Sequence, residues 1–74
     1  MILTVEQLSR IAAAGGGLVL DGSLFTFNQI KQITAAAHDG KAPLTVHNVG
    51  NLTAAQLTQL SAVAPGLITF DLTQ

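Results

Sequence analysis

The sequence predicts an α/β domain of three helix-strand repeats, a short parallel sheet with its helices on one face. Three observations predict this: a helix-start signature written three times, a short aliphatic run after each helix, and glycine or proline at the joins. The signature is a Thr with Gln three positions later, an apolar residue just before the Thr and another four positions after it. It occurs at Leu3, Thr4, Gln7 and Leu8, at Phe25, Thr26, Gln29 and Ile30, and at Leu52, Thr53, Gln56 and Leu57. At this spacing the Thr hydroxyl accepts from the Gln backbone amide and the Gln side chain reaches back to the Thr amide, a capping box. The apolar pair has the spacing of a hydrophobic staple.

From each cap the apolar positions follow helical spacing: Leu8, Ile11, Ala12 and Gly15; Ile30, Ile33, Thr34 and Ala37; Leu57, Leu60, Ser61 and Ala64. Large residues come early and small ones late, so each helix is expected to approach its support closely at its C-terminal end. Gly15-Gly16-Gly17, His38-Asp39-Gly40 and Pro65-Gly66 supply the residues expected to end the helices. Strand signals follow at Leu18-Val19-Leu20, Leu44-Thr45-Val46 and Leu67-Ile68-Thr69-Phe70. The repeats therefore span approximately 3–22, 25–49 and 52–72 of a single domain over 1–74, with caps 22 and then 27 residues apart.

Strands joined by helical crossovers run parallel. Aligning Thr45 with Thr69 puts Leu18, Leu44 and Ile68 in one inward row and Leu20, Val46 and Phe70 in the next. Val19, Thr45 and Thr69 then form an outward row, followed by Asp21, His47 and Asp71. One apolar face and one mixed face favour sequential strand order with all helices on the apolar side. Whether Met1 to Leu3 adds a further strand is left open by the pattern.

Composition narrows the function classes. Charged residues make up 9% of the chain, three basic against four acidic, so no basic stripe is available for nucleic acid or an anionic membrane surface. Hydrophobic residues make up 49%, yet no run is long and uninterrupted enough to span a bilayer. There is no Cys, which excludes disulfides and thiolate metal sites. The N-terminus lacks the basic region of a secretory signal, and the expected location is cytoplasmic. A surface this poor in charge points to self-association.

Units of 22 to 27 residues with one strand and one helix each resemble the leucine-rich-repeat class of α/β solenoid. The resemblance is one of architecture. Leu18-Val19-Leu20-Asp21-Gly22 and Leu44-Thr45-Val46-His47-Asn48 match only the strand core of the Leu-x-x-Leu-x-Leu pattern, with Asn48 in an Asn-like turn position. What the resemblance implies is an open sheet face used for binding.

Candidate chemistry is sparse. Asp21, His47 and Asp71 share a row in which neighbouring backbones are roughly 4.8 Å apart, a setting that suits a cation or a proton shuttle. Asp and Asn at strand ends ordinarily make turns, and that reading is preferred. His38 falls in the last turn of the second helix, where the helix dipole favours a cation. Gly15-Gly16-Gly17 follows a helix and lacks the Lys-Ser/Thr ending of a phosphate loop. Ser9, Ser23 and Ser61 have no neighbouring base or nucleophile-elbow sequence.

The expectation is a non-enzymatic interaction or self-assembly module with no cofactor and no metal. It forms a homodimer or homo-oligomer through its open face (Val19, Asp21, Thr45, His47, Thr69 and Asp71) or through the third strand, Leu67 to Leu72, as an uncovered edge. An inhibitor or antitoxin-like regulator of a partner protein is the alternative, and a metal-binding or enzymatic domain at Asp21, His47 and Asp71 the third.

Overall fold

A computed structural model describes residues 3–72. Its elements follow in the order α1 (Val5–Ala13), β1 (Leu18–Asp21), a single 3-10 turn (Gly22–Leu24), α2 (Phe27–Gly40), β2 (Leu44–His47), α3 (Ala54–Val63) and β3 (Ile68–Phe70). All three helices begin on the expected capping boxes. Thr4 N donates to Gln7 Oε1 at 2.9 Å and Gln7 N to Thr4 Oγ1 at 3.1 Å. The same reciprocal pairs measure 2.9 and 3.2 Å at Thr26 and Gln29, and 2.9 and 3.2 Å at Thr53 and Gln56.

The strands form one parallel sheet in the order β1-β2-β3. The register is the one alternation requires: Leu18 beside Leu44 beside Ile68, Val19 beside Thr45 beside Thr69, and Leu20 beside Val46 beside Phe70. The helices cover the face carrying the leucine and valine rows. Leu20, Leu44 and Val46 are buried there with Leu8, Ile30, Ile33 and Leu60, while Val19 and Thr69 on the other face are exposed. The core is centred on the middle unit. Ile30, Ile33, Thr34 and Ala37 of α2 are all buried, whereas α1 contributes Leu8 and Ala12 and α3 contributes Leu60.

The helix ends depart from expectation in instructive ways. α1 stops at Ala13, so Gly15 does not extend its buried face, and Ile11 is 38% exposed. Gly16 N donates to Ile11 O at 2.9 Å and Gly15 N to Ala12 O at 3.0 Å, the two bonds of a Schellman motif. Gly15 takes the left-handed conformation this requires, with φ at +96°. On α3, Ser61 lies exposed with its hydroxyl donating to Leu57 O at 2.9 Å, so it is not part of the buried face.

Gly40 is the last residue of the second helix, as expected, and Lys41 after it takes the left-handed position with φ at 53°. Lys41 N donates to His38 O at 3.2 Å and Ala42 N to Ala37 O at 2.8 Å, so the termination is again of Schellman type. Packing requires glycine at position 40. A Cβ on Gly40 would sit 2.0 Å from the carbonyl oxygen of Ala12 and 2.7 Å from that of Ala13. Gly40 is therefore the point where α2 meets the end of α1, and the left-handed residue is the one that follows it.

Candidate functional site

The unpartnered side of the sheet carries every residue expected to act. Val19, Thr45 and Thr69 lie in one cross-strand row, with Val19 and Thr69 exposed and Thr45 half-buried. Asp21 pairs with His47 in the next row. Asp71 follows β3 directly; its amide donates to Val46 O at 2.9 Å, extending the pairing one residue beyond the strand and bringing the Asp71 backbone alongside that of His47. The row Asp21, His47, Asp71 thus exists at the backbone level.

Its chemistry is set by local bonding. Asp21 Oδ1 accepts from Ser23 N at 3.0 Å and from Ser23 Oγ at 2.6 Å, which makes the carboxylate the cap of the Gly22–Leu24 turn. These two bonds hold the Asp21 carboxyl below its ordinary pKa of 3.8. Burial opposes them more weakly than either bond acts, and the Asn48 side chain and the charge of His47 add still smaller contributions in the lowering direction. Asn48 itself adopts the left-handed conformation, with φ at 58°, as its place in the turn after β2 demands. Among the described residues no group of three His, Cys, Asp or Glu side chains could hold a metal ion.

The serines are equally occupied by local structure. Ser23 caps with Asp21, and Ser61 back-bonds to its own helix. The Ser9 hydroxyl is buried on α1 with no hydrogen-bond partner among the described residues. His38 is exposed near the end of α2. Glu6 and Arg10 form an exposed pair on α1 at 2.6 Å. Such a pair contributes little to stability but neutralises the charge of that helix.

Sequence reasoning missed one feature. An open depression of about 340 Å³ runs along the β1 edge, lined on the helix side by Leu3, Leu8, Leu20 and Phe25 and on the open side by Val19 and Leu24, with Asp21 and His47 at its margin. Leu24 is 74% exposed and Val19 71%. The signal was present in the sequence: Leu24 and Phe25 are adjacent apolar residues, and a staple before Thr26 uses only one of them. Leu72, after β3, is 66% exposed. Met1 and Ile2, which bear on an extra strand, lie outside the described residues, and Leu3 belongs to no strand. Among the described residues no helix is long and apolar enough to cross a membrane.

Compared with models of protein families, with curated proteins and with solved structures, the chain matches none.

Proposed function

We propose that the chain is a small protein-protein interaction and self-assembly module that works through its open sheet face and sheet edges. The observation that carries this reading is the pair Val19 and Leu24, large apolar side chains left 71% and 74% exposed beside an apolar depression at β1, the outer strand of the sheet among the described residues. Scattered exposed leucines are ordinary, but clustered ones next to unpaired backbone are typical of contact surfaces. A contact role fits better than catalysis, since Asp21, a carboxylate of the candidate row, is committed to a turn. We read the frame as a solenoid of the leucine-rich-repeat kind on the strength of one strand and one helix per unit in sequential order. The absence of Cys is in keeping with a reducing, cytoplasmic setting. Size-exclusion chromatography with light scattering at low micromolar concentration tests the proposal. The expected mass is that of a dimer or larger species, and a monomer at every concentration refutes it.

A further inference from the structure

Equivalent positions of the three units are covered very differently. In the middle unit Ile30, Leu44 and Val46 are at most 1% exposed, while Leu57, Ile68 and Phe70, which occupy the same places in the third unit, are only half-buried. The middle row is closed on that side by the third unit itself, since Ile68 lies beside Leu44 and Phe70 beside Val46. Among the described residues no strand closes the third row in turn. At the other end of the sheet the first unit has a depression along β1, lined by the buried Leu8 and Leu20, the half-buried Phe25 and the exposed Val19 and Leu24.

The backbone at these two edges is complementary. Leu67 O accepts from Leu44 N at 2.8 Å and Asp71 N donates to Val46 O at 2.9 Å, so Leu67 and Asp71 face β2, and by alternation Ile68 and Phe70 turn their peptide groups outward. On β1, Leu18 N donates to Pro43 O at 3.1 Å, so Leu18 faces β2 and Val19 turns outward. Outward Ile68 and Phe70 against outward Val19 repeats the arrangement already present at both internal junctions. Charge opposes such a contact at one point only, the strand ends, where the register that continues the sheet sets Asp71 beside the partner's Asp21. There is no Asp, Glu, Lys or Arg between Lys41 and Asp71, and the two charges of α1 neutralise each other.

Resting on the self-assembly reading, we infer that copies of this chain stack head to tail, the β3 edge of one receiving the β1 edge of the next in parallel. The solenoid then continues from copy to copy with Thr69 beside the partner's Val19. A contact between two different surfaces of the same chain either closes into a ring or grows into a filament; it does not stop at two copies.

Sedimentation velocity from low micromolar to millimolar concentration tests this on the wild-type chain and two double variants, V19K/T69K and V19E/T69K. Both sites are exposed, so both variants are expected to keep the fold, as circular dichroism will report. Wild-type mass is expected to rise past two copies or settle on a ring of three or more. Like charges opposed across the junction weaken association and opposite charges strengthen it, so the Glu/Lys variant is expected to associate roughly tenfold more tightly than the Lys/Lys variant. A wild-type mass that saturates at two copies, or equal association of the two variants, overturns head-to-tail stacking and leaves self-assembly standing. A wild-type monomer throughout overturns both.

Discussion

Replacing Gly40 with Ala sets two physical effects of opposite sign against each other. Gly40 is the last residue of α2, and on helix propensity alone Ala in place of Gly stabilises by up to about 1 kcal/mol. At this site, however, the added methyl would meet the carbonyl oxygens of Ala12 and Ala13 at 2.0 and 2.7 Å, closer than real Cβ atoms come to anything. The obstacle is backbone, which no rotamer change can clear, so the end of α1 must move away from α2. Overpacking of this kind costs about 1–3 kcal/mol, and at this severity the upper end applies. The net expectation is a loss of about 2 kcal/mol, which in a domain of this size lowers Tm by about 8–16 °C. Thermal unfolding followed by circular dichroism at fixed protein concentration measures it. Gly50→Ala is the control, because a Cβ there meets nothing within 4 Å. That variant is expected to melt at or slightly above the wild-type temperature. A Gly40→Ala protein that melts at or above wild type refutes the close-approach account and leaves Gly40 as an ordinary helix-end glycine.

Three further outcomes follow from the same geometry. Lys41→Gly is expected to raise stability by about 0.5–1 kcal/mol in urea unfolding, because Lys41 holds a left-handed φ of 53° that glycine adopts without strain; a lower midpoint contradicts this. Thr26→Ala removes the cap of the longest helix and is expected to cost about 1 kcal/mol, or about 4–8 °C in Tm; an unchanged melt would mean the box is ornamental. Asp21 is held below its ordinary pKa of 3.8, so its stabilising bonds are fully present above that pH and lost as pH falls through the lower folded-state value. Wild type should therefore exceed Asp21→Asn slightly in Tm near neutrality, with the gap closing in acid; a gap undiminished at about pH 2 contradicts the assignment.

The periodic features were legible because each rests on short-range chemistry. Thr and Gln three residues apart can satisfy each other whatever surrounds them, so Thr4, Thr26 and Thr53 announced their helices. Alternation in Leu44-Thr45-Val46 and Ile68-Thr69-Phe70 fixed the sheet register, because a slip of one residue would turn the buried row to solvent. What was not legible depends on contacts between distant residues. Gly40 is the helix stop the sequence suggests, but its close approach to Ala12 and Ala13 shows only when α1 is placed beside it, and Ser61 looks like part of a buried face until α3 is seen to bury only Leu60 within its span. The candidate row was readable as a juxtaposition of Asp21 with His47, while the commitment of Asp21 to Ser23 was foreseeable only as a general habit of Asp at strand ends. The depression at β1 needs Leu3, before α1, Leu8, within it, and Leu24, in the turn after β1, brought together.

The contrast between units also bears on why a row of apolar residues does not reveal by itself whether it is core or contact surface. Ile68 and Phe70 are as apolar as Leu44 and Val46 and sit in the same register, yet the first pair is half-exposed and the second closed. Residue type is equal, so position in the stack decides burial. Burying apolar area is worth roughly 25 cal/mol per Å², and a side chain such as Phe carries about 150–250 Å², so the partly covered Phe70 leaves on the order of 1–2 kcal/mol of transfer free energy unrealised in the isolated chain. On the proposed stacking, a third unit written with the same core pattern as the second would be covered by a neighbour with a helix and an edge strand at the same spacing. The β1 edge of this chain has that spacing, and the exposed Val19 and Leu24 lie along the depression beside it.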